Sequence, residues 1–101
     1  MLSKDMVEKD DLRQAHIVVS GMVQGVSFRH HTAQKAKELC IVGWVKNTTC
    51  GNVEITVEGK ATVLKEFIDW CHAGSPFSRV EKVAVEWKEP TQMFSSFDVL
   101  S

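Results

Sequence analysis

The chain has 101 residues, 44% of them hydrophobic and 25% charged, with a formal net charge of −1. These values fit one small domain with one core and lack the basic excess of a dedicated nucleic-acid binder. No apolar run approaches the ~20 residues of a membrane span, so no stable membrane insertion is expected. Cys40, Cys50 and Cys71 are odd in number and have no close pair, so a disulfide framework or a zinc site is not expected. A reducing, cytoplasmic setting fits them best.

Residues 1–11 are charged and carry no apolar stretch, so they read as a mobile tail rather than a signal peptide. The remainder, 12–101, reads as the domain. Residues 12–20 form a first strand, with Ala15, Ile17 and Val19 on one face and Gln14, His16 and Val18 on the other. Apolar Val18 breaks the alternation, as expected of a central strand. Residues 28–40 read as a helix whose stripe is Phe28, Thr32, Ala33, Ala36, Leu39 and Cys40. The adjacent His30 and His31 have Gln34 and Lys35 at the i+4 positions, which is not a metal-ligand pattern.

Residues 42–48 make a second strand. Residues 52–59 make a third, with Val53, Ile55 and Val57 buried and Glu54, Thr56 and Glu58 wet. The short loop through Gly51 joins them as a hairpin. A second helix covers 61–72, with Val63, Leu64, Phe67, Ile68 and Cys71 on its apolar stripe and Gly74 as its stop. On this spacing Cys71 is a buried thiol and His72 an exposed neighbour, not a nucleophile and its base. Residues 80–88 form a fourth strand with Val83, Val85 and Trp87 inward, and Phe97 and Val99 mark a short last strand. Trp70 and Phe77 are left open between core and surface.

The order β-α-β-β-α-β hides both helices only if they share one face of a single sheet. Short connections and right-handed crossovers then give an α+β ferredoxin-like sandwich with an antiparallel sheet of order 4-1-3-2, plus a short C-terminal strand.

The stretch Gly21-Met22-Val23-Gln24-Gly25-Val26-Ser27-Phe28-Arg29 stands between the first strand and the first helix. Glycines there allow successive N–H groups to turn toward one point, and a helix N-terminus adds unpaired donors. Arg29 adds a permanent charge with a planar fork. On spacing alone, a phosphate cradle and a plain glycine turn are both open. This stretch resembles the signature loop of the acylphosphatase family, and Gly43-Trp44-Val45-Lys46-Asn47 resembles its second signature. Thr32, the Gly51 hairpin, Gly74-Ser75-Pro76 and Ser78-Arg79-Val80 also match. Cys40-Ile41 departs from a common Gly–hydrophobic pair, and Asn52 stands where threonine often follows the hairpin glycine.

The resemblance implies a cofactor-free, metal-independent hydrolase of acyl phosphates, acting as a monomer on small acyl phosphates or acyl-phosphorylated proteins. It implies phosphate binding by the backbone N–H groups of Gln24, Gly25, Val26, Ser27, Phe28 and Arg29. The Arg29 guanidinium would hold the phosphoryl oxygens, and Asn47 would position the attacking water. The chemistry is self-consistent. An acyl phosphate expels a carboxylate, whose parent acid has a pKa of ~4, so the leaving group needs no protonation. Phosphoryl transfer is then mostly positioning and charge stabilisation.

Rival chemistries lack parts. A cysteine phosphatase needs a thiolate early in the loop, and Val23 stands six residues before Arg29. Ser27 has no motif that supplies a base, and the Gly-Lys-Ser/Thr of a Walker site is absent. An RNA-binding sheet would want exposed aromatics where Glu54, Thr56 and Glu58 stand. The alternative from another class is a non-catalytic module that binds an acyl phosphate or another anion in the same cradle.

Overall fold

Apolar residues at every second strand position, and at helical spacing in two helices, put one buried layer between a sheet and a helix pair. The computed structural model describes residues 11–100. In chain order the elements are β1 (Leu12–Met22), α1 (Phe28–Glu38), β2 (Val42–Asn47), β3 (Val53–Lys60), α2 (Ala61–Ala73), β4 (Arg79–Lys88) and β5 (Phe97–Val99). The strands form one sheet in the order β4-β1-β3-β2-β5. β1 runs antiparallel to β3 and β4, β2 antiparallel to β3, and β5 parallel to β2. This is the expected ferredoxin-like α+β sandwich, with β1 and β3 inside the sheet and the short last strand on the edge beside β2.

One cluster fills the layer. Ala15, Ile17 and Val19 of β1, Val45 of β2, and Val53, Ile55 and Val57 of β3 meet Phe28, Ala33 and Ala36 of α1 and Leu64, Phe67 and Cys71 of α2. Trp70 packs onto it, its ring 5.7 Å from that of Phe28 and 6.2 Å from that of Phe67. Phe77, in contrast, is 83% exposed. Residues 1–10 of the expected tail lie outside the described residues. Asp11, read as part of that tail, accepts a backbone hydrogen bond from Ala61 at 3.0 Å. No helix among the described residues is long and apolar enough to cross a membrane.

Four expectations need correction. β1 continues to Met22, because Gly21 and Met22 pair with Val80 and Arg79 after a register shift at Ser20/Gly21. Gly21 adopts φ 124°, and a Cβ there would run into the Arg79 carbonyl oxygen. α1 stops at Glu38, so Cys40 leaves the apolar stripe and is exposed. Cys40 N–H donates to Lys37 and Ile41 N–H to Ala36, which is a Schellman closure with Cys40 at φ 57° in the position glycine usually takes. Trp87 points to the helix side but remains 43% exposed, because β4 forms an edge of the sheet.

The fourth concerns the far face of β3. Glu54 is half-buried beside His16 (2.6 Å) and Lys46 (3.7 Å), but Thr56 and Glu58 are buried, not wet. Thr56 is flanked across the ladder by His16 and Trp44. Glu58 is covered by the connector between β4 and β5. Its carboxylate accepts hydrogen bonds from Gln14 Nε2 (2.7 Å), Thr91 N (2.7 Å), Thr91 Oγ1 (2.9 Å) and Gln92 N (2.9 Å). Burial alone would push this carboxyl up. The donors from Thr91, Gln14 and Gln92 outweigh burial and hold it below its ordinary value of 4.5.

Candidate active site

The loop between β1 and α1 is pinned at both ends, since Val23 and Phe28 are buried in the core. Between them the chain turns through two left-handed residues, Gly25 (φ 77°) and Ser27 (φ 61°). Ser27 is the N-cap of α1 but makes no side-chain cap bond, so the helix N-terminus keeps its uncapped donors. The N–H groups of Gln24, Gly25, Val26 and Ser27 enter none of the turn and loop hydrogen bonds among the described residues. The Ser27 carbonyl accepts from His31 N (3.1 Å) and from the His31 ring Nδ1 (2.8 Å), which anchors the loop to the first turn of the helix.

A cavity of about 480 Å³ opens in front of this loop, lined by Val23, Gly25, Ser27, Phe28, Arg29, His30, Asn47 and Val99. Its size falls in the range of small-molecule sites. The two sequence motifs therefore meet at one place. Arg29 comes from the first turn of α1 and Asn47 from the last position of β2. Asn47 projects from the same face of β2 as buried Val45, and its Oδ1 is buried without a hydrogen-bond partner among the described residues. Of the other expected residues, Gly25, Ser27 and Phe28 line the cavity, while Gln24 and Val26 do not. Val26 packs against the core, and the Gln24 side chain turns away to the β2–β3 hairpin.

Three contributors escaped the sequence. His30, expected only on a solvated helix face, is exposed but lines the cavity, as its place beside Arg29 could have suggested. Val99 enters from β5, through the parallel pairing of Val45 with Val99. The Leu100 carbonyl accepts from Arg29 Nη1 at 2.8 Å, and Leu100 N–H donates to Val45 at 2.8 Å. A backbone carbonyl leaves no residue-type signal, so nothing in the sequence points to it.

The arrangement offers one permanent cation, a helix N-terminus and an amide. It offers no activated nucleophile. Cys71 is buried in α2, and burial pushes its thiol up to about 12. His31 engages the carbonyl of Ser27, not its hydroxyl. Among the described residues no three His, Cys, Asp or Glu side chains stand together as a metal site. A glycine-containing loop, a helix N-terminus and an arginine sharing one cavity are the class of site suited to a phosphoryl group.

Comparison with known proteins agrees. The family model described as acylphosphatase matches residues 15–99. A protein named acylphosphatase from Chloroflexus aurantiacus is 42% identical over 90 residues, covering 89% of this chain and 98% of that one. Another of that name from Anaeromyxobacter dehalogenans is 44% identical over 89 residues, covering 88% and 96%. The crystal structure of acylphosphatase from Bacillus subtilis superposes with a TM-score of 0.85 at 36% identity, covering 90% of this chain and all of that one. The chain belongs to the acylphosphatase family.

Proposed function

We propose that this protein hydrolyses the carboxyl–phosphate bond of acyl phosphates, giving a carboxylate and inorganic phosphate. The phosphoryl group sits against the N–H groups of the Gln24–Arg29 loop and under the Arg29 guanidinium. Water attacks phosphorus in line with the leaving carboxylate. As the P–O bond to the acyl group breaks, that oxygen leaves with the electron pair as a stable anion, so no general acid is required. The attacking water's protons pass to the phosphoryl oxygens and to bulk water, since an amide is not a base.

The observation that carries the assignment of roles is the buried Oδ1 of Asn47, without a hydrogen-bond partner among the described residues, in a residue that lines the same cavity as Arg29. An orphaned buried carbonyl costs about 1–3 kcal/mol, and an O–H of the attacking water is a partner that would orient it. An alkyl ester would expel an alkoxide, which needs an acid or a metal ion, and the two motifs carry residues suited to neither task, which favours acyl phosphates. Small acyl phosphates or acyl-phosphorylated proteins are the substrates, and the protein acts as a monomer. The free cysteines Cys40, Cys50 and Cys71 support a reducing, cytoplasmic setting. The test is hydrolysis of benzoyl phosphate against a phosphate monoester, with competitive inhibition by inorganic phosphate. Rapid turnover of the first alone is expected. Tight phosphate binding without turnover would convert the protein to an anion-binding module.

A further inference from the structure

Gln24 belongs by position to the phosphate loop, yet its side chain does not line the cavity. It is half-buried and reaches across to the β2–β3 hairpin, 24 and 28 residues along the chain. There Nε2 donates to the carbonyls of Thr48 (2.8 Å) and Asn52 (2.7 Å). Both amide hydrogens are thus committed to one target. These two carbonyls are the neck of the hairpin. Thr48 N–H donates to Asn52 O at 2.9 Å, and Asn52 N–H donates to Thr48 Oγ1 at 3.1 Å.

Asn47 immediately precedes Thr48, and its ladder partner Val53 immediately follows Asn52. The hairpin neck therefore carries the residue assigned to the water. On its other side β2 loses support before Asn47. Among the described residues the pairing with β5 ends at Val45, so Lys46 and Asn47 extend beyond it. Among the described residues no hydrogen bond fixes the Asn47 Oδ1, so where it points depends on its backbone. We infer that Gln24 is a positioning residue, whose side-chain amide bolts the phosphate loop to the hairpin neck and sets the distance between Asn47 and the bound phosphoryl group. The inference rests on the proposed roles of Arg29 and Asn47. Misplacement by about 1 Å is enough to cost about a hundredfold in a reaction that depends on alignment.

The test is a cycle of Gln24→Met, which keeps the volume and removes the donors, with Asn47→Ala. Gln24→Glu is the second variant, since it turns an acceptor toward two carbonyls. Turnover of benzoyl phosphate and the inhibition constant for inorganic phosphate are measured on each folded protein. Gln24→Met and Gln24→Glu are expected to lower kcat about ten- to a hundredfold, with the phosphate constant shifted less than about threefold, because the loop backbone and Arg29 remain. In the Asn47→Ala background, Gln24→Met should cost less than about twofold, because the group it positions is gone. An undiminished loss in that background overturns the inference. So does unchanged turnover in both single variants, or a loss of phosphate affinity as large as the loss of turnover, which would make Gln24 a support of the loop alone. Full activity in Asn47→Ala itself would overturn the proposed site and this inference with it. Should Gln24→Met fail to fold, Gln24→Glu carries the same cycle.

Discussion

Replacing Asn47 by alanine separates two demands that a structural residue would satisfy together. The Oδ1 atom is buried and has no hydrogen-bond partner among the described residues, so its removal breaks no bond that holds the fold together. Truncation leaves a small void, and the β2–β3 ladder pair with Val53 uses only backbone atoms. The net change in stability is expected to lie between a loss of about 1 kcal/mol and a gain of similar size. A change of 1 kcal/mol corresponds to about 4–8 °C in Tm for a domain of this size. Turnover is expected to fall by at least about a hundredfold, or about 2.7 kcal/mol of transition-state stabilisation, because the water would lose the group proposed to orient it. Inorganic phosphate should inhibit with a nearly unchanged constant, since Arg29 and the loop are intact. Thermal unfolding, benzoyl phosphate kinetics and phosphate inhibition on the same preparation decide the matter. Turnover within about threefold of wild type would remove Asn47 from the mechanism. A drop in Tm well beyond 8 °C that tracks the lost activity would make it a hairpin residue.

Arg29→Gln is expected to fold, losing the exposed bond to the Leu100 carbonyl, while the proposed forked pair of charge-assisted phosphate contacts, worth about 3 kcal/mol, would be lost. Phosphate affinity and turnover should each fall about a hundredfold or more, with Arg29→Lys between the two proteins; near-normal phosphate inhibition in the folded glutamine variant would refute the assignment. Extensive dialysis against EDTA is expected to leave turnover unchanged, and a loss restored by magnesium or zinc would reveal a metal requirement the site residues do not explain. Glu58 has a folded value held below 4.5, so the unfolded chain binds the proton first. Its stabilisation is therefore complete above that value and lost as pH falls through the lower folded one. Urea titrations should show stability declining below about pH 4.5, with a smaller decline in Glu58→Gln and a loss of about 2–3 kcal/mol at pH 7; equal acid sensitivity in both proteins would contradict the network.

What could be read in advance follows from the range of the forces involved. The alternation of Ala15, Ile17 and Val19, and of Val53, Ile55 and Val57, is a local pattern that sheet formation requires, so strand identities and their order were legible. The loop around Gly25 and its closing arginine were legible because backbone conformation and fixed charge restrict residue type. The ends of elements were less so. Cys40 accepts a left-handed φ because two backbone hydrogen bonds close the helix around it, and side-chain pattern does not report such bonds. Glu58 read as a wet residue on an alternating strand, since its four donors come from Gln14 and from residues 91–92, far along the chain. Gln24 carried a signal for the loop but none for its direction. An amide can serve as backbone filler, ligand or cross-link, and only the arrival of Thr48 and Asn52 decides which.

The short edge strand shows why that last kind of information matters for the site. β5 has three residues, the short end of the usual range, so its ladder with β2 is brief. Its entry is fixed by the Ser96 carbonyl, which accepts from Gly43 N–H at 2.9 Å, and by buried Phe97, and its exit is fixed by Leu100 N–H on Val45. Held at both ends, it sets the Leu100 carbonyl 2.8 Å from Arg29 Nη1 and brings Val99 into the cavity wall. An arginine side chain carries about 2 kcal/mol of rotamer entropy, which a ligand must otherwise overcome when it orders the fork. Anchoring one guanidinium nitrogen on a backbone carbonyl meets part of that cost during folding and leaves the other donors available to the phosphoryl group proposed to bind there. The cation in the cavity is thus placed from the edge of the sheet, by a carbonyl that only long-range backbone bonds hold there.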